Sequence, residues 1–300
     1  MHSTLQPRRH ALFILNRNAR RAAQMAETVE DHLRQSGFDL IIPQINGSRD
    51  VSSAIVEFAQ DVDCVIVAGG DGTLNASAEG LCKTRLPLGI VPLGTANDLA
   101  RTLGIPGEIE AAVNIISASQ CRTIDLGIVN DQPFFNVASI GFSAMLAAHL
   151  TKRAKSRFGV LGYAIGALQI ASQSRPFTVC LEHDGITETF KSIQVSVGNG
   201  RYYGGGMQIH EAAEPDDKRL YVYSLNVRNW LHALFLLPSL RRGMQRRHAG
   251  VRAFETHALV LRSHRPHDIN TDGEVKTSTP GHFSLRTNAV TVFVPGNEPG

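Results

Sequence analysis

Residues 64–75 read CVIVAGGDGTLN, and this stretch decides the fold. Cys64, Val65, Ile66, Val67 and Ala68 form an apolar run without alternation, the mark of a strand buried on both faces of a parallel sheet. The run empties into Gly69-Gly70-Asp71-Gly72-Thr73, and Leu74 opens a segment with helical spacing. Glycines there let the backbone turn tightly and approach a bound group, while N–H groups of the turn and the helix terminus point at an anion. That is phosphate-binding chemistry. The plain alternative is that strand-to-helix turns need glycine for their own geometry. Asp71 stands apart, because a carboxylate beside phosphates repels them unless it holds or orients a metal ion or handles a proton.

A second loop strengthens the phosphate reading. Residues 86–98, LPLGIVPLGTAND, repeat the pattern: an apolar run, then Gly94-Thr95, then Asn97 and Asp98 ahead of an apolar helix. Two such units converging on one sheet edge resemble a nucleotide cleft. Upstream, Ala11–Leu15 reads as a strand, and residues 19–36 place Ala22, Met25, Ala26, Val29 and Leu33 on one helical stripe that Gly37 ends. Leu40–Ile42 is a second strand, and Val51, Ala54, Ile55 and Phe58 line the next helix. Leu88–Val91 and helices near 96–103 and 107–117 continue the alternation. Residues 8–125 are therefore expected to form an α/β, doubly wound nucleotide-binding domain.

After Cys121 the character changes. Thr123–Val129, Phe134–Ser139, Thr178–His183, Thr187–Val197 and Leu220–Asn226 are strand-like, with helices expected only near 142–152, 158–173 and 229–240. Residues 126–294 read as a mostly antiparallel β domain, with the last strand, Val290–Val294, open to either domain. The cleft is expected between the two domains.

Composition sets bounds. The 300 residues are 43% hydrophobic, ample for a core. A net charge of +3 is too small to announce a nucleic-acid partner. Cys64, Cys82, Cys121 and Cys180 are widely spaced with no C-x-x-C pair, so they read as buried hydrophobes in a reducing cytosol. The apolar run after the N-terminal arginines, Ala11 to Leu15, is short for a secretory signal, and no stretch reaches the roughly 18–20 residues of a membrane helix. A cytoplasmic protein is expected.

Five segments in order, GGDGTLN, PLGTANDLAR, FFNVASIGF (134–142), YYGGGM (202–207) and TDGE (271–274), resemble the bacterial lipid kinases of the diacylglycerol kinase type. The resemblance runs from Asn16 to about Val294. It implies an N-terminal α/β nucleotide domain, a C-terminal β-sandwich of the NAD kinase/diacylglycerol kinase kind, and Mg²⁺-dependent transfer of the ATP γ-phosphoryl group to a lipid hydroxyl. Matched residue by residue, Asn16, Gly70, Asp71, Gly72, Thr73, Leu74, Asn75 and Thr95 would contact ATP, with Asp98 a further acid near the phosphates. Glu274 falls at the proton acceptor, with Asp272 beside it. Read alone, Asp-Gly between strands is a hairpin signal.

The resemblance also implies a Mg²⁺ position, with Asp217 as the side-chain ligand and the carbonyls of Glu214 and Arg219 flanking it. Lys218 stands where the family has glycine, a cation able to compete with the metal, and a solvated turn is the alternative. The first loop departs as well, reading Asn16-Arg17-Asn18-Ala19-Arg20, and Glu211 replaces a family proline.

Two further signals need weighing. His264, His267, Asp268 and Asp272 lie close in sequence, but their spacing and the interleaved Arg262 and Arg265 read as a polar surface loop rather than a zinc site. Arg241, Arg242, Arg246, Arg247, His248 and Arg252 follow the apolar run Leu231–Leu240. With Lys152, Arg153, Lys155 and Arg157 they form a basic surface suited to peripheral contact with anionic headgroups, against the alternative of an ordinary charged face. The rival readings are a NAD kinase-like small-molecule kinase, and a non-catalytic nucleotide-binding regulator.

Overall fold

The computed structural model describes residues 8–15, 20–45, 47–142, 175–225, 239, 241–244 and 250–296. Asn16, the basic residues 152–157 and 246–248, and nearly all of the helices expected at 142–152, 158–173 and 229–240 lie outside the described residues. The chain divides into two compact units, one running to Ile124 and resuming at Asn288, the other spanning Asp125–Thr287.

In the first unit, β1 (Arg9–Leu15), α1 (Arg20–Gln35), β2 (Phe38–Ile41), α2 (Ser48–Glu57), β3 (Cys64–Gly69), α3 (Asp71–Thr84), β4 (Leu88–Pro92), α4 (Asp98–Thr102) and α5 (Ile109–Ala118) follow one another. The strands pair in parallel in the order β2-β1-β3-β4. Every residue of β3 is buried, as its unbroken apolar run requires. Ala11, Phe13, Cys64 and Ile66 share one cluster with Val29 and Leu33 of α1 and Val113 and Ile116 of α5. The alternate residues Leu12, Ile14, Val65 and Val67 are equally buried, as a sheet covered on its other face demands. The helices α2 and α3 pack closely because Gly80 has no side chain: a Cβ there would stand 2.8 Å from the Ser52 carbonyl oxygen. Strand order reverses between β1 and β3, and the loops leaving the carboxyl ends of strands at such a point are where open α/β sheets bind ligands.

In the second unit the elements are β5 (Cys121–Val129, entering from the first unit), β6 (Gln132–Phe134), β7 (Val137–Gly141), β8 (Phe177–His183), β9 (Ile186–Ser192), β10 (Gln194–Gly198), β11 (Tyr202–Tyr203), β12 (Met207–Gln208), β13 (Leu220–Leu225), β14 (Val251–Thr256), β15 (Leu259–Ser263), β16 (Asp268–Thr271), β17 (Glu274–Ser278) and β18 (Gly281–Phe293). One antiparallel sheet runs β14-β13-β10-β7-β16-β17. A second set runs β18-β15-β8-β9, with β5 on β18 and β6 on β5. Inward residues of both, among them Ile140, Val195, Val222, Leu181, Leu261 and Phe283, form one core, which makes the unit a β-sandwich. The far end of β18 belongs to the first unit, where Val292 lies parallel to Leu88 of β4.

Two expected strands are broken in the structure. Phe134–Ser139 splits because Phe135 and Asn136 turn their N–H groups to the Asp272 carboxylate instead of to a ladder. Thr187–Val197 splits at Ile193, whose N–H goes to the Leu225 carbonyl and whose own carbonyl accepts from Phe142.

Candidate functional site

In the first unit the two glycine loops meet backbone to backbone. The Leu93 N–H donates to the Gly69 carbonyl at 2.9 Å. A Cβ on Gly94 would stand 2.5 Å from the Gly70 Cα and 2.6 Å from Asn97 Oδ1, so this approach is open to glycine alone. Gly70 is the N-cap of α3 with extended backbone, and its carbonyl accepts the N–H groups of Thr73 and Leu74. Thr73, Leu74 and Asn75 are buried, Gly72 is half-buried and Thr95 is exposed. Asn97 takes the left-handed conformation, φ 51°, while its Nδ2 donates to the Gly94 carbonyl and its buried Oδ1 receives no donor from the described residues.

Asp71 ties the loops together. Its Oδ1 accepts the Leu99 N–H at 3.2 Å, so the side chain that opens α3 also braces the start of α4. Burial pushes its pKa above the usual carboxylate value, against the lowering effect of backbone N–H groups from Leu99, Asp98, Asp71 and Asn97. Asp98, at the head of α4, is buried.

In the second unit the Thr271–Glu274 pair closes β16 and β17 through the two-residue turn Asp272-Gly273, with φ of 49° and 97°. Two successive positive φ values are what the tightest hairpin connections use. The Asp272 carboxylate accepts three consecutive backbone N–H groups: Phe135 at 2.7 Å, Asn136 at 3.0 Å and Val137 at 3.0 Å. Its own N–H donates to the Val137 carbonyl at 3.0 Å. Asp272 is thereby committed to holding the turn, and Glu274 beside it keeps a side chain 40% exposed, 3.7 Å from the Lys276 ammonium.

At the implied metal position, Asp217 Oδ2 accepts the Glu214 N–H at 3.0 Å and the Tyr221 hydroxyl at 2.7 Å, and its Oδ1 accepts the Arg219 N–H at 2.9 Å. The Glu214 carboxylate pairs with Arg201, and the Arg219 guanidinium with Glu255. The oxygen donors suit a hard ion, but three protons already fill most of the carboxylate's lone-pair sites, so the turn closes on itself. The Asp217 carboxylate is thus engaged in closing its own turn. Among the described residues no three His, Cys, Asp or Glu side chains gather as a metal cluster. Lys218 adopts φ 61°, the conformation that favours glycine, and its N–H donates to Asp125 Oδ2 at 3.0 Å. Of the histidine cluster, His267 stacks on Phe177 with ring centroids 4.2 Å apart.

Two residues escaped the sequence reading. Asp125 is almost fully buried in β5, and its N–H donates to the Pro215 carbonyl at 2.7 Å. The signal was available, since a lone carboxylate inside the strand-like TIDLGIV is out of place. Asn199 is buried beside it, disguised because Asn-Gly after a strand reads as an ordinary turn.

The first unit is thus an α/β unit with paired glycine loops, and the second a β-sandwich carrying a carboxylate hairpin. Similarity to known proteins narrows the class. Residues 10–129 match the diacylglycerol kinase catalytic domain family, and residues 136–294 match the YegS C-terminal NAD kinase beta sandwich-like domain family. The chain is 31% identical over 229 residues to the "Probable lipid kinase YegS-like" of Klebsiella pneumoniae (strain 342), covering 75% of this chain and 77% of that one. It is 26% identical over 271 residues to a "Diacylglycerol kinase" of Staphylococcus saprophyticus, covering 88% of each. A solved structure of a "putative diacylglycerol kinase" from Bacillus anthracis str. Sterne superposes with a TM-score of 0.83 at 25% identity over 98% of each chain. The chain belongs to the diacylglycerol kinase-type lipid kinase family, and it is a kinase.

Gly94→Ala is expected to push the loops apart, weakening ATP binding more than tenfold and costing about 1–3 kcal/mol of stability. Isothermal titration and urea unfolding check both, and wild-type affinity would contradict the packing argument. The raised pKa of Asp71 has a definite sign. The folded state holds this proton more tightly than the unfolded state, so the associated stability is present at low pH and lost as pH rises through the folded value. The melting temperature of Asp71→Asn relative to wild type should therefore increase as pH rises out of the acidic range. A flat difference would contradict it.

Proposed function

We propose that this chain is an ATP-dependent lipid kinase that transfers the γ-phosphoryl group to a hydroxyl of a diacylglycerol-like or phosphatidylglycerol-like lipid. The observation that carries this reading is the hairpin of the second unit: a carboxylate, Glu274, left half-exposed on a tight turn whose neighbour Asp272 is fixed by three N–H groups. A proton acceptor needs that combination of freedom at its own oxygen and rigidity beneath it.

In the first unit, Gly70, Gly72, Thr73, Leu74, Asn75 and Thr95 would receive the nucleotide, with Asn16 from the loop after β1. Asp71 would hold the loops together and set the charge facing the phosphates. Mg²⁺ travels with the ATP phosphates in this reading and supplies charge neutralisation there. Glu274 takes the hydroxyl proton as the lipid oxygen bonds to the γ-phosphorus, and ADP departs with the electrons of the broken bond.

The lipid would be presented at a membrane surface, with the protein bound peripherally at the inner face through its basic residues. No helix among the described residues is long and apolar enough to cross a membrane. Glu274→Gln should keep ATP affinity and lose turnover by about 10²–10⁴-fold, the usual worth of a general base. Turnover at the wild-type rate, with γ-labelled ATP and diacylglycerol in mixed micelles, would remove Glu274 from this role.

A further inference from the structure

Phe135 and Asn136 belong to no strand, yet Phe135 is 1% exposed and Asn136 3%. A buried backbone outside a ladder must still pair its polar groups. Asp272 takes the N–H groups of this segment, and the carbonyls are taken by Asn199 and its neighbour Gly200. Asn199, itself 1% exposed, donates its Nδ2 to the Phe135 carbonyl at 2.9 Å and to the Asp125 carbonyl at 3.0 Å. Its backbone N–H, 2.8 Å away, and that of Gly200, 3.2 Å away, both donate to the Asn136 carbonyl. The segment is thus gripped between Asn199 and Asp272.

The grip reaches further through Asp125. The Asp125 carboxylate accepts the Lys218 N–H, and the Asp125 N–H donates to Pro215, so the 214–219 turn hangs on the same residue that Asn199 holds by its carbonyl. A continuous hydrogen-bonded path therefore runs from that turn through Asp125, Asn199 and Phe135 to Asp272, two residues before Glu274.

We propose that Asn199 is a positioning residue for phosphoryl transfer: by fixing the Phe135–Asn136 backbone it sets where Asp272 holds the hairpin, and so where Glu274 meets the lipid hydroxyl. The proposal rests on the reading of Glu274 as the proton acceptor. Only a double donor does this work, because two carbonyls face the side chain. Alanine supplies no donor. Aspartate keeps the shape but donates one O–H when neutral and none when ionised.

The test compares Asn199→Ala, Asn199→Asp and Glu274→Gln in the full chain, measuring ATP Kd, kcat and KM for diacylglycerol in mixed micelles across pH, with the folded fraction from circular dichroism. For Asn199→Ala we expect ATP Kd and lipid KM within about threefold of wild type and kcat per folded molecule down by roughly 100-fold, the cost of a misplaced catalytic group. For Asn199→Asp, kcat relative to wild type should fall as pH rises and the carboxyl loses its donor.

Asn199→Ala with wild-type kcat per folded molecule overturns the proposal, showing that the residue serves folding alone. A pH-independent Asn199→Asp ratio overturns it too. If Glu274→Gln keeps full turnover, the reading beneath the proposal fails and takes it along. An inactive Glu274→Gln beside a fully active Asn199→Ala sinks the proposal alone.

Discussion

Aspartate carboxylates that collect backbone N–H groups hold the loops of this protein in place. Asp71 receives Leu99, Asp217 receives Glu214 and Arg219, and Asp272 receives Phe135, Asn136 and Val137. Each sits where the chain leaves a regular element and its N–H groups have no ladder or helix partner. A carboxylate has room for several donors and binds them more strongly than a neutral oxygen. The same device recurs in both units.

For phosphoryl transfer such fixation is most of what a protein contributes, since the chemistry calls for positioning and charge neutralisation more than covalent participation. Each unit fixes loops of its own. The first builds a glycine cradle in which two loops touch at Gly70 and Gly94, and the second builds a stiff hairpin that leaves one carboxylate half-exposed. Asp217 closes a loop of its own. Burial raises its pKa, and its oxygens serve the Glu214 and Arg219 N–H groups and the Tyr221 hydroxyl, so its first duty is to close its own turn.

The parallel sheet was legible because β1 and β3 carry apolar runs of five residues followed by helical segments, and β3 with α3 fall where CVIVAGG and DGTLN place them. The second unit was less so. Its strands β14 and β17 mix exposed and half-buried positions without a clean alternation, as in Val251–Thr256, where only the last residue is buried. Periodicity alone did not reveal them. The site residues were visible as types: aspartates and glycines in loops announce themselves. Their partners were not, because Asp272 finds Phe135 across 137 positions and Asn199 finds Asp125 across 74. No local pattern records a hydrogen bond of that range.

The most direct measurement is the transfer of label from γ-labelled ATP, with Mg²⁺, to a panel of hydroxyl-bearing lipids in mixed micelles, with NAD in a parallel reaction. A lipid kinase built on this glycine cradle and carboxylate hairpin must place label in a lipid and none in NAD. Label in NAD alone, or ATP bound with no label passed to any acceptor, would contradict it.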